Sequence, residues 1–212
     1  MGATTKGTGN TKMKNKIFTP ALTLLIAALM IAVMPTDAQA AVYDDTVRLH
    51  ILANSDSDED QALKYEIRDE VLDEYGGRLS SISSANQAEQ TLLGVLDEIE
   101  LFCEEQIRMR GYSYNVEVSI GKEWYDTREY EGFTLPKGIY TSLRIIIGEG
   151  EGRNWWCVMY PPLCLDAATE SAPVDDAVKK YTDEEFTLIT SGGYNVKFKM
   201  LELISDAFSQ KH

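Results

Sequence analysis

The sequence is poor in the residues that build metal centres and nucleophiles: 212 residues contain two histidines and three cysteines. That supply leaves little for a multi-ligand zinc site. Positive charge is also scarce, with 20 basic residues against 34 acidic ones and a formal net charge of −14. No basic stripe is available to neutralise nucleic-acid phosphates, and adhesion to anionic lipid is disfavoured. Catalytic signatures are missing too: there is no His-Glu-x-x-His, no Gly-x-Ser-x-Gly and no Gly-x-x-x-x-Gly-Lys. What remains is ordinary globular composition, 44% hydrophobic and 25% charged, and ample for a domain with a real core.

One long apolar run is present, and it is N-terminal. Lys12, Lys14 and Lys16 precede the stretch Ile17–Val33, which leads into Met34-Pro35-Thr36-Asp37-Ala38-Gln39-Ala40. A positive segment, an apolar segment, a helix-breaking proline and Ala-x-Ala together predict an export signal cleaved between Ala40 and Ala41. The rival reading is an uncleaved anchor, since this run reaches the lower length limit for spanning a bilayer. Met13 is an alternative start, because Met13-Lys14-Asn15-Lys16 is already a sufficient positive segment. Residues 1–40 carry four lysines and one aspartate, so the remaining 172 residues stand at −17. The expected division is a cleavable signal peptide at 1–40, a domain at 41–165, and an acidic loop with a C-terminal helical extension at 166–212. The protein is expected to act outside the cytoplasm.

Along the mature chain, Thr46 to Ala53 alternates as a strand, and Asn54-Ser55-Asp56-Ser57 breaks it. Ser57 with Asp60 predicts a helix start; Leu63, Ile67, Val71 and Tyr75 form its apolar face and Gly76-Gly77 its expected end. A second helix is predicted from Ser84, with Gln87 as its capping partner, to a stop at Gly111. Its apolar stripe runs through Ala88, Leu92, Val95, Ile99, Phe102, Cys103 and Ile107. Tyr114 to Ile120 alternates as a strand, and Gly121 to Gly138 is turn-rich with a short strand at Gly132–Leu135. Ile139–Ile147 and Asn154–Tyr160 are expected to pair as an antiparallel hairpin. Asp166 to Asp176 reads as an acidic surface loop. Thr182 and Glu185 cap a short helix, and residues 196–208 form a closing amphipathic one. The sum is an α+β domain: an antiparallel or mixed sheet of four to five strands with two long helices on one face.

Several constellations suggest chemistry, and each has a plainer reading. Asp56, Asp58, Glu59 and Asp60 resemble the first half of a calcium loop, but Gln61 and Ile67 stand where glycine and glutamate are required. Acidic residues at a helix N-terminus are already stabilised by its dipole. Gly148-Glu149-Gly150-Glu151-Gly152 is a poor phosphate cradle, because its glutamates repel phosphate; a flexible hairpin loop is the better reading. His50 with a cysteine raises a nucleophile pair. The spacing of Cys157 and Cys164 around Pro161-Pro162 suits a disulfide in an exported protein, stabilising by about 2–3 kcal/mol, and this structural reading is favoured over the nucleophile. Cys103 sits on the core face of its helix. Asp60, Gln61, Lys64 and Arg68 share one helix face, which on spacing alone is a solvated, salt-bridged surface. Trp155 and Trp156 point to opposite faces of their strand, so one of them is a candidate anchor for a protein or a sugar.

Two blocks carry a likeness to a known family. Val47-Arg48-Leu49-His50-Ile51-Leu52-Ala53-Asn54-Ser55-Asp56, continued by Asp60-Gln61-Ala62-Leu63-Lys64 and Arg68-Asp69, resembles stage II sporulation protein R. So do Leu135-Pro136-x-Gly138-x-Tyr140 and the long block from Leu143 to Cys164, across Val47 to Asp166 in all. The resemblance implies an exported signal of endospore-forming bacteria, made in the forespore and secreted into the space between forespore and mother-cell membranes. There it would activate a membrane-embedded aspartic-type protease, stage II sporulation protein GA, which processes the sigma factor E precursor. It implies no catalytic residue, metal or cofactor. The expected partner contacts are His50, Asn54, Ser55, Asp56, Asp60, Gln61, Lys64 and Arg68 at one locus and Trp155 or Trp156 at another. The alternatives are an exported wall or peptide hydrolase using His50, Asp56 or Cys157, and a carbohydrate-binding module using an exposed tryptophan.

Overall fold

A computed structural model describes residues 9–32, 34–130, 132–163 and 180–191. Residues 38–194 form one compact unit, and helix α1 (Gly9–Ala32) belongs to another. Among the described residues no helix is long and apolar enough to cross a membrane. Helix α2 (Asp37–Asp44) contains both Ala40 and Ala41, and Val42, immediately after them, is fully buried. Tyr43 packs edge-on against Tyr140 at 5.1 Å and donates to the Lys137 carbonyl at 2.9 Å. The compact domain is thus fastened within two residues of the expected cleavage point.

The fold is α+β, as the pattern predicts, with a mixed sheet. Strands β1 (Val47–Leu52), β2 (Val116–Tyr125), β5 (Gly138–Ile147) and β6 (Asn154–Tyr160) lie in the order β2-β5-β1-β6. Strands β3 (Arg128–Tyr130) and β4 (Phe133–Leu135) pair separately. β1 runs parallel to β5 and antiparallel to β6, while β2 and β5 are antiparallel. The expected β5–β6 hairpin therefore does not form: β1 lies between the two strands, and Gly148–Arg153 crosses over its C-terminal end. Both β5 and β6 gain a ladder to β1, whose Leu49 and Ile51 are fully buried, and burial at a central strand outweighs the short connection. β2 also runs five residues beyond the alternating segment, through Gly121, because every residue of it pairs with β5.

The helices start where the caps predict. Ser57 is extended (φ −62°, ψ 151°) and its Oγ accepts from the Asp60 amide, opening α3 (Asp58–Val71). Ser84 accepts from the Gln87 amide and opens α5 (Ala85–Leu93). The ends differ from expectation. Gly76-Gly77 does not stop the first helix; both residues are right-handed helical, and a π turn (Leu72–Gly76) leads into α4 (Gly77–Ser80). Glycine permits a left-handed cap without requiring one, and continuing the helix buries Tyr75 and Leu79. The expected second helix is two, breaking at Gly94 before α6 (Leu96–Met109). Gly111, at φ 87°, follows its end. Ala88, Leu92, Ile99, Cys103 and Ile107 are buried in one core with Leu63, Ile67 and the strand residues Leu49, Ile51, Leu143 and Ile145. Helix α7 (Asp183–Thr190) opens on a reciprocal Thr182–Glu185 capping box. The expected loop at 166–176 and helix at 196–208 lie outside the described residues.

Candidate functional site

The candidate residues separate into three groups. The first surrounds the turn after β1. Asp60 Oδ2 accepts from Asn54 Nδ2 (2.8 Å) and Ser55 Oγ (2.6 Å), and Oδ1 accepts from Tyr114 Oη (2.9 Å). Gln61 Nε2 donates to the Ser55 carbonyl at 2.8 Å. Lys64 Nζ donates to Gln61 Oε1 (2.7 Å) and to the Arg153 carbonyl (2.8 Å). Asn54 Oδ1 and Asp56 Oδ1 accept from the amides of Glu149 and Arg153. These bonds tie the β1–α3 turn to the crossing segment. Asp60, Gln61 and Lys64 are buried, with Lys64 only 1% exposed, so this helix face is not the solvated surface that spacing alone suggests. Its polar groups are needed because two irregular backbone segments meet here and their amides must be satisfied. Burial pushes the Asp60 carboxyl up, but the hydrogen bonds from Ser55, Asn54 and Tyr114 outweigh it and the net shift is downward. Burial, then the neighbouring Arg153, pushes the Lys64 ammonium down. Asp56 itself is exposed.

The crossing segment is packed rather than flexible. A Cβ on Gly148 (φ +60°) would lie 2.2 Å from Asn54 Oδ1, and one on Gly152 would lie 2.3 Å from the Ser55 carbonyl oxygen. Close backbone approach, not phosphate binding or loop mobility, accounts for these glycines.

The second group is Arg68 and Trp155. Trp155 is opposite Ile51 in the sheet, and the Arg68 guanidinium lies 4.9 Å above its ring. Arg68 also bonds Asp69 and lies over Tyr65.

The third group lies on the opposite face of the sheet. Alternation from Leu49 and Ile51 turns Arg48 and His50 to this side, with Ser142, Arg144 and Trp156 as their register neighbours. His50 Nδ1 meets Glu123 Oε1 at 2.8 Å and Nε2 meets Asn154 Oδ1 at 2.7 Å. Its ring stacks on Trp156 at 5.5 Å, and Arg128 lies 3.9 Å from the centroid of that same indole. Arg48 is fully buried beneath Tyr125, Tyr140 and Tyr130, with the Tyr125 centroid 4.0 Å away, and Nη2 donates to Tyr130 Oη. Away from this aromatic cover, Arg144, Asn154 and Glu117 are exposed and Leu52, Ile146 and Trp156 half-buried. Glu123, Arg128, Arg144 and Asn154 are not foreseen as site residues. The available signal is two charge-bearing positions, Arg48 and His50, on alternate places of an otherwise Val/Leu/Ile strand.

The hydrolase constellation is not assembled. Cys157 is opposite Leu49 on the core face, whereas His50 is on the other, and both ring nitrogens of His50 are already bonded. Cys103 is a buried free cysteine whose thiol burial pushes up to about 12. Cys164 lies outside the described residues. Both tryptophans of the pair are half-buried under guanidinium groups; the exposed indole is Trp124, at 61%, beside Ile139 across β2–β5. No group of three or more His, Cys, Asp or Glu able to hold a metal occurs among the described residues.

Comparison with known proteins agrees with the two sequence blocks. Residues 43–170 match the family described as Stage II sporulation protein R. The Stage II sporulation protein R of Bacillus subtilis (strain 168) is 36% identical over 185 residues, which covers 78% of this chain and 83% of the relative. No solved structure matches. The matched region begins at Tyr43, the residue that fastens α2 to the domain, and takes in both the crossing segment and the open sheet face.

Proposed function

The chain belongs to the Stage II sporulation protein R family, and from that premise we propose that it is an exported sporulation signal and not itself an enzyme. Made in the forespore, it crosses into the space between the two membranes after cleavage at Ala40. There it binds an extracytoplasmic part of the membrane-embedded aspartic-type protease, stage II sporulation protein GA, and favours the protease's active state. The family match carries this reading, and the exposure of Arg144 and Asn154 beside half-buried Trp156, on the sheet face opposite Leu49 and Ile51, supports it. Such a ligand acts only through differential affinity for the inactive and active states. Moving the protease from about 1% to 99% active requires roughly 10⁴-fold tighter binding to the active form. The test is reconstitution of protease and sigma factor E precursor in vesicles, with and without the purified chain. Cleavage is expected only when the chain is present; equal cleavage without it would remove the signalling role.

We also propose the Cys157–Cys164 disulfide. Cys157 is buried beside the central strand, and a cross-link there would hold the end of β6 where the described chain leaves the sheet. Denatured exported protein is expected to show one reactive thiol, that of Cys103, and three after reduction. Three thiols before reduction would exclude the pairing.

A further inference from the structure

Three of the four buried polar side-chain atoms left without a hydrogen-bond partner among the described residues belong to two arginines: Arg48 Nε and Nη1, and Arg128 Nε. The fourth is Glu185 Oε1, whose sister oxygen closes the Thr182 cap. Leaving a buried charged group incompletely bonded is costly, and such groups are ordinarily paired or hydrogen-bonded. No carboxylate comes within ion-pair distance of Arg48, Arg128 or Arg144 among the described residues. Tyr130, on the strand that carries Arg128, feels both the Arg48 and the Arg128 charge. Arg144 is beside His50, and His50 is beside the Trp156 ring that Arg128 covers. The same face carries the acids Glu117 and Glu123, and Glu123 is tied to His50. In a mature chain of formal charge −17, three guanidiniums without a carboxylate partner among the described residues therefore gather on one face of the sheet, where Arg144 and Asn154 are exposed. Arg48 is fully buried, so its field is weakly screened by salt.

From this arrangement we propose that the open face of the sheet is a docking site for an acidic peptide segment. Its carboxylates pair with Arg128 and Arg144 above the buried charge of Arg48, and its chain lies across Trp156. Guanidinium groups suit this role because their planar donor fork matches a carboxylate, and Arg128 is already oriented by stacking on an indole. The proposal deepens the signalling reading by naming the surface and the chemistry of the partner. It rests on that reading for the partner's identity but not for the binding itself.

The test uses the purified chain and fluorescein-labelled octa-glutamate, with octa-glutamine as the neutral comparison, followed by anisotropy. Octa-glutamate is expected to bind saturably and octa-glutamine not. Arg128→Gln and Arg144→Gln should each weaken binding at least fivefold with unchanged thermal melting. Arg78→Gln, on the helical side where Arg78 is paired with Glu74 and Glu98, should leave binding unaltered. Equal binding of the two peptides, or unaltered affinity in both site variants, overturns the proposal. So does displacement by inorganic phosphate at the peptide's own carboxylate concentration, which would mark an adventitious ion only. Tighter binding to phosphatidylglycerol vesicles than to the peptide would assign the face to a lipid headgroup instead. The reconstituted protease separates the two readings. If precursor cleavage needs the chain but both arginine variants support it fully, docking at this face is wrong and the signalling role stands. If cleavage does not need the chain while the peptide results hold, the signalling role falls and the site stands.

Discussion

Asp60→Ala is expected to destabilise the domain by about 3–5 kcal/mol at pH 7. The carboxylate is 5% exposed and accepts from Asn54, Ser55 and Tyr114. Hydrogen bonds to a charged acceptor contribute about 1.5–3 kcal/mol each and are not additive, and their deletion leaves buried donors unsatisfied. Asp60→Asn should cost less than half as much. Its amide group can face Tyr114, whose hydroxyl is able to accept, while its oxygen keeps the Asn54 and Ser55 donors. Tyr114→Phe should cost about 1 kcal/mol. The pH dependence has a definite sign. The folded-state pKa is lowered, so the stabilisation is complete above the unfolded carboxyl value of about 3.9 and is lost as pH falls through the folded value below it. Urea melts of wild type and Asp60→Asn should therefore differ at pH 7 and converge progressively below about pH 4. A constant difference across that range would show that the carboxylate charge is not what the network uses.

The network and the open face differ in how far they can be read from residue order. The extents of β1, β5 and β6, the helix caps at Ser57, Ser84 and Thr182, and the burial of Cys103 follow from local periodicity and capping, which act over three or four residues. The pairing of β5 with β1 rather than β6 depends on contacts far apart in the chain. Short loops favour a hairpin as the first reading, and only the packing around Leu49 and Ile51 decides against it. Lys64 and Gln61 illustrate the same limit within a helix. Three- and four-residue spacing places them on one face, but what covers that face comes from residues 148–153. Arg48 and His50 are legible as a pair on one side of a strand. Their neighbours Glu123, Arg128, Arg144 and Asn154 come from four other strands, so their assembly appears only with the sheet order.

Gly152→Ala follows from that sheet order and is expected to be the most damaging single-methyl change in the domain. The added Cβ would meet the Ser55 carbonyl oxygen at 2.3 Å, the Ser55 carbonyl carbon at 2.7 Å and Ala53 Cβ at 2.9 Å. None of these is the far end of a flexible side chain, so the backbone itself must move. The Gly152 amide also donates to the Ala53 carbonyl at 2.9 Å, and moving the crossing segment outward breaks that bond. Overpacking costs about 1–3 kcal/mol where side chains yield and more where they do not; with the lost bond, about 3–4 kcal/mol is expected. For a domain of this size that lowers the melting temperature by roughly 6–16 °C. Gly77→Ala is the opposite case. Gly77 is helical, and its Cβ would meet nothing within 4 Å, so alanine should stabilise by about 0.4–1 kcal/mol through the unfolded chain. Thermal melts of the two variants thus move in opposite directions. A Gly152→Ala melt within 2 °C of wild type would mean that the segment does not cross β1 at this separation. The register that brings Trp156 beside His50 would then need another explanation, because that crossing returns the chain to the sheet as β6.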